Sequence, residues 1–120
     1  MSESKIERDA VKLVLDNLGI RSSKLVTPGD TGYPDRIIWV PGGKPLLVEY
    51  KVPGEDPRPK QAYIHEMLKS LNYNVQVHDY EIETLEAVIR ILETHKLSKA
   101  QYEVLAAAKR RCAVLRSRTR

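Results

Sequence analysis

The sequence predicts an α/β protein: a three-layer α/β/α sandwich around a central mixed sheet. Helical and strand periods of hydrophobicity succeed one another in the order helix, strand, strand pair, helix, strand, helix, helix. The central strand pair is apolar on both faces. Ile37 and Trp39 lie on one and Ile38 and Val40 on the other, with Leu47 set against Leu46 and Val48. Strands buried on both sides need helices on both sides. At 120 residues, with 42% apolar and 30% charged side chains, the chain suits one compact domain spanning 1–120.

From about Ser4 to Leu18, Ile6, Ala10, Leu13 and Val14 recur along one side of a helix, and Gly19 ends it. Ile20 to Thr27 can form a short strand before the breakers Pro28-Gly29-Asp30-Thr31-Gly32. Asp35 to Val40 and Pro45 to Val52 read as a hairpin turned at Pro41-Gly42-Gly43-Lys44. A proline-rich loop, Pro53 to Pro59, leads into a helix starting near Pro57 or Pro59, since proline fits a first helical turn. That helix carries Ile64, Leu68 and Leu71 on one stripe and stops near Asn72. Tyr73 to Tyr80 alternates as a strand, and Glu81 to Thr94 is a helix burying Ile82, Leu85, Ile89 and Leu92. Ser98 caps a last helix to about Leu115.

The net charge of +4 is unevenly spread. Between Lys96 and Arg120 eight basic residues (Lys96, Lys99, Lys109, Arg110, Arg111, Arg116, Arg118 and Arg120) face Glu103 alone, leaving the rest mildly acidic. A basic segment at about 96–120 suits contact with a polyanion. One cysteine, Cys112, forms no intrachain disulfide, no stretch resembles a membrane span, and the charged start is unlike a signal peptide. An intracellular, cytoplasmic protein is expected. Zinc-type Cys/His spacing and a phosphate-cradling glycine loop are both missing, so no nucleotide cofactor is expected.

The chemistry concentrates in Pro34-Asp35 and, after thirteen intervening residues, Glu49-Tyr50-Lys51. Glu49 and Lys51 share a strand face because side chains alternate. Asp35 joins them only if the hairpin turn holds an odd number of residues. With Pro41-Gly42-Gly43 as the loop, Val40 pairs with Lys44 and Asp35 falls opposite Glu49. A two-residue loop puts Asp35 opposite Tyr50, on the wrong face. Two converging carboxylates ionise cheaply only with a cation between them. Their hard oxygens, with water and the Tyr50 carbonyl able to complete the shell, suit Mg²⁺ or Mn²⁺. Lys51 adds a compact positive charge that can orient water or offset charge on a phosphate. The parts suit phosphodiester hydrolysis, although a pattern this short arises by chance in roughly one chain in fifty. Charges inside the otherwise apolar strand Leu46 to Val52 nevertheless want a reason.

Gly32-x-Pro34-Asp35, Glu49-x-Lys51 and the downstream Gln61 resemble the PD-(D/E)XK nucleases, most closely the VRR-NUC branch. The similarity spans about Glu7 to Val77 and includes the Pro-Gly-Gly turn and Pro59-Lys60-Gln61-Ala62-Tyr63-Ile64-His65. It implies a restriction-endonuclease-like core, with Asp35, Glu49 and the Tyr50 carbonyl on Mg²⁺ (or Mn²⁺ in substitution). It also implies Lys51 as the catalytic lysine and Gln61 in support. Stand-alone members occur in phages and bacteria and resemble Holliday-junction resolvases. The implied activity is a structure-selective DNA endonuclease, often a homodimer, that leaves a 5′-phosphate.

Glu7 lies on the helix side of Ala10, Val11, Val14 and Leu18, and the family uses a glutamate in its first helix, so Glu7 is a further candidate near the metal. Arg58 and Lys60, beside the active-site helix, and Lys109 and Arg110, in the basic segment, are candidate phosphate contacts. Tyr63 reads as a partly buried aromatic, His65 as a solvated histidine and Trp39 as core. Two rival functions remain open. One is a non-catalytic nucleic-acid-binding protein that keeps the fold; the other is a nuclease subunit that cuts ordinary duplex.

Overall fold

A computed structural model describes residues 2–119, so the expected part of Arg120 in the basic tail lies outside the described residues. The elements follow the predicted order: α1 (Glu3–Leu18), β1 (Ser22–Lys24), β2 (Arg36–Ile38), β3 (Leu46–Tyr50), α2 (Pro59–Ser70), β4 (Asn74–His78), α3 (Glu81–Leu92) and α4 (Lys99–Thr119). They build one four-stranded sheet in the order β1-β2-β3-β4. The first three strands are antiparallel and β4 runs parallel to β3, reached through α2. The sheet is mixed, with the hairpin at its centre.

Local chemistry sets the helix ends. Ser2 accepts the Lys5 N–H at 3.1 Å to cap α1, and left-handed Gly19 closes it. Pro59 stands at the start of α2, where its missing N–H costs nothing. Ser98 and Gln101 cap α4 reciprocally, each side chain accepting the other's backbone N–H.

The two sides of the sheet are unequal. Ile6, Ala10 and Val14 of α1 and Ile82, Leu85, Val88 and Leu92 of α3 pack with Ile38, Leu46, Val48 and Tyr50 in the main core. Helix α4 adds Leu105, Ala108 and Cys112, one stripe at helical spacing, packed on α1 and α3. The other face carries Leu47, Glu49 and Val75, and among the described residues α2 alone covers it, resting against β4. Three expectations are corrected here. Trp39, expected in the core, follows β2 beyond the reach of α2 and is 52% exposed, its indole N–H donating to Ser23 Oγ at 2.8 Å. Tyr63 is 70% exposed rather than partly buried, and Leu71, expected on the buried stripe of α2, is exposed at its end.

The hairpin differs from the tight turn the sequence suggests. Its ladder stops at Ile38↔Leu46, leaving seven residues, 39–45, in the connection. Trp39 N–H instead donates to the Arg21 carbonyl, and Gly42 and Gly43 both take positive φ. Gly42 lies so close to the His95 ring that an added Cβ would collide with Nε2, so the loop tip docks beyond α3. The count stays odd, and the register is the expected one.

On the core side of β3, Tyr50 is anchored by a buried polar chain. Its hydroxyl meets Thr84 Oγ1 at 2.9 Å, and Thr84 Oγ1 meets His78 Nδ1 at 2.8 Å. His78 Nε2 in turn meets Gln76 Oε1 at 2.7 Å. Gln76 Oε1 can only accept, so Nε2 carries the proton and Nδ1 accepts from Thr84. Burial holds the His78 pKa down to about 4, which keeps the ring neutral in this role. Replacing Thr84 by Val should strand both the tyrosine hydroxyl and Nδ1. We expect a stability loss of about 1–3 kcal/mol in urea unfolding at pH 7, with little loss in Thr84→Ser.

Candidate active site

The β2–β3 register decides which side chains meet. Arg36 pairs with Val48 and Ile38 with Leu46, so Asp35, one residue before β2, stands across from Glu49. At that point the ladder gives way to a side chain. Asp35 N–H donates to the Val48 carbonyl at 2.9 Å, while its Oδ2 accepts the Tyr50 N–H at 2.7 Å. The Asp35 carboxylate is thereby fixed against β3 beside Glu49. Gly32 makes room for the loop before it: at φ +96, an added Cβ would lie 2.8 Å from Lys60 Cγ and 3.0 Å from the Lys60 carbonyl oxygen. The Pro34-Asp35 segment and the start of α2 therefore pack together through this glycine.

Glu49 and Lys51 share the face turned to α2, and each is only 2% exposed. Their closest approach is loose, with Lys51 Nζ 3.9 Å from Glu49 Oε2. Gln61 serves two partners. Its Oε1 accepts the Arg58 N–H at 2.8 Å, so its amide nitrogen must face Glu49, donating to Oε2 at 3.0 Å. One turn later stands His65, expected in solvent but 5% exposed, with Nε2 3.5 Å from Glu49 Oε1. Neither of these two buried atoms makes a hydrogen bond. The signal for His65 was its i+4 spacing from Gln61, which places both on one helical side.

The electrostatics follow from burial and crowding. Burial first, then the Asp35 charge, pushes Glu49 up to about 7, against the pull of Lys51. Asp35 is itself raised by burial, opposed by the Tyr50 N–H and by Lys24 and Lys51, while Glu7 adds to the rise. His65 is lowered, by burial and then by Lys69. The buried Glu49 carboxylate and the half-buried Asp35 one thus lie beside the buried Lys51 in a small space where ionising both acids is costly.

Helix α1 delivers two acids at i,i+4 spacing. Glu7 is buried and bound by cations, accepting from Lys24 Nζ at 2.9 and 3.0 Å and from Arg36 Nε at 2.6 Å. Its carboxylate holds these bases and reaches Asp35 through its field. Glu3, passed over in the sequence reading, adds to the raising of Glu49. Of the candidate phosphate contacts, Arg58 is exposed at the entrance to α2, near enough to lower Glu49, and Lys60 is exposed with Asp30 3.7 Å away. Lys109 is engaged by Glu93 at 2.7 Å, whereas Arg110 is exposed. Both lie on α4, which packs on the helices of the opposite sheet face from α2.

Among the described residues no three His, Cys, Asp or Glu side chains converge as a ready metal cage. The donors at hand are two carboxylates, Asp35 and Glu49, that disfavour one another's ionisation, with the Tyr50 backbone between them and its side chain anchored away. An oxygen-only pair of this kind fits a hard divalent cation that keeps much of its water.

The raised pKa of Glu49 has a stability consequence. In the unfolded chain Glu49 ionises near 4.5 and in the folded one near 7, so the fold holds the extra proton between these values. In EDTA the wild type should lose up to about 3 kcal/mol as pH rises from about 4.5 through 7. Glu49→Gln should be nearly flat over that window and more stable than wild type at pH 8. Urea unfolding of both proteins at pH 5 and pH 8 checks this.

No family model matches the chain. A curated protein named "Putative nuclease p44", from Acyrthosiphon pisum secondary endosymbiont phage 1, is 43% identical over 77 residues, covering 64% of this chain and 82% of that protein. A solved structure described as a VRR_NUC domain superposes with a TM-score of 0.61 at 26% identity, covering 78% of this chain and 97% of the other. Another, a VRR_NUC domain protein, gives a TM-score of 0.64 over 82% of this chain and 93% of its own, and at 16% identity it speaks to the fold alone. The shared fold and the matched sequence agree on one assignment: the chain belongs to the VRR-NUC family of nucleases.

Proposed function

We propose that this protein is a divalent-metal-dependent DNA endonuclease that hydrolyses phosphodiester bonds, with branched DNA such as four-way junctions as its substrate. The observation that carries the reading is the convergence of Asp35 and Glu49 across β2 and β3, with the buried Lys51 beside them. Asp35 and Glu49 would hold Mg²⁺, or Mn²⁺ in its place, with the Tyr50 carbonyl as a third donor. When bound, the ion polarises a phosphoryl oxygen and lowers the pKa of water in its shell.

The chain's own residues do the rest. Lys51 holds the attacking water or offsets charge on the phosphate as the bond to the leaving oxygen breaks. Gln61 keeps Glu49 oriented from α2. Glu7, bound to Lys24 and Arg36, tunes the field at Asp35 rather than supplying a free carboxylate. Arg58 and Lys60 are the phosphate contacts nearest the carboxylates. Arg110 and its neighbours on α4 present basic charge elsewhere on the surface, suited to a second DNA arm. A homodimer would set two such sites on one symmetric junction.

Four-way junction, flap and linear duplex should be digested side by side, with Mg²⁺ and with EDTA. The expected outcome is Mg²⁺-dependent cleavage of the junction ahead of the duplex. Equal cleavage of linear duplex would favour a nuclease of ordinary DNA, and binding without any nicking would favour a non-catalytic role. Lys51→Ala should lose at least about a hundredfold in cleavage while still retarding DNA in gels. Unchanged cleavage in that variant would remove Lys51 from the chemistry.

A further inference from the structure

We propose that His65 is a positioning residue of this site, donating from Nε2 to Glu49 Oε1, so that α2 clamps both oxygens of the carboxylate. The argument begins with two buried polar atoms that face each other and lack other partners. Glu49 Oε1 and His65 Nε2 lie 3.5 Å apart, on side chains 2% and 6% exposed, and neither makes a hydrogen bond. With Glu49 ionised, as it must be to hold a cation, a bare ring nitrogen facing its oxygen would set two acceptors together in a dry interior, where unpaired polar groups are costly. A proton on Nε2 removes that conflict. A shift of a few tenths of an ångström then brings the pair into ordinary hydrogen-bond range.

The other half of the clamp is already closed. Gln61 Nε2 holds Glu49 Oε2 at 3.0 Å, and the Arg58 N–H fixes which way that amide points. Positions 61 and 65 are one helical turn apart, so one rigid element brings one donor to each oxygen. A carboxylate has about four acceptor positions, and this uses two, leaving the others free. The buried ring also excludes water from beneath the site. Partners that orient a metal-binding carboxylate typically change metal affinity by about 10–100-fold when removed. This role rests on the nuclease reading above, but its structural half is independent of it.

The test uses the full chain in two arms. In metal-free protein, at a pH high enough to ionise Glu49, ¹⁵N-imidazole NMR should show His65 Nε2 protonated, with a resonance that moves in Glu49→Gln. A bare Nε2 would overturn the proposal. In the second arm, calorimetric Mg²⁺ titration of His65→Leu should give a half-saturation raised by about 10–100-fold. His65→Gln, which restores an N–H near the same place, should return to within a few-fold of wild type. An unchanged Mg²⁺ half-saturation in His65→Leu, whatever its thermal stability, would also overturn it. If His65→Leu does not fold, His65→Gln and the NMR arm decide. If the wild type cleaves no DNA, the nuclease reading fails while the NMR arm still judges the His65–Glu49 contact.

Discussion

The register between β2 and β3 is the constraint on which the rest of the site depends. A strand alternates its side chains with a period of two, so a slip of one residue would turn Asp35 away from Glu49. Two features keep the register. The apolar residues Ile38, Leu46 and Val48 must all face the main core at once. The Asp35 carboxylate also replaces a ladder partner for the Tyr50 N–H, at 2.7 Å. That bond ends the pairing where the site begins, and it holds the aspartate against the strand that carries the glutamate and the lysine.

The two faces of β3 divide the labour. On the core side Tyr50 is tied through Thr84 to His78, a neutral chain in which every proton has an acceptor. On the other side Glu49 and Lys51 are buried with loose mutual contact and incomplete satisfaction. A satisfied polar chain stiffens a strand; an unsatisfied one stores the electrostatic cost that a ligand can relieve. The strand can hold the second arrangement because the first, with the apolar core around it, anchors the same backbone.

Helix α2 connects site and fold. Among the described residues it is the only helix on its sheet face, and it leaves Trp39 open to solvent. Yet it closes over Glu49 with Gln61 and His65, and it fits the Pro34-Asp35 loop only because Gly32 lacks a side chain. The basic helix α4 sits behind the opposite layer, so the charge excess and the paired carboxylates occupy different sides of one chain.

By itself the sequence determined the element order, the layered α/β class, the odd parity of the hairpin connection and the meeting of Asp35, Glu49 and Lys51. These depend on local periodicity and on strand alternation, which are written along the chain. Gln61 was legible only through the family pattern. The tertiary structure alone decided the rest. It buried His65, exposed Trp39, gave Glu7 to Lys24 and Arg36, and brought Glu3 near Glu49. Each of these turns on which element lies across from a residue, and on how far a single helix can cover a sheet. Such contacts join positions far apart in the chain, where neither spacing nor composition carries a signal.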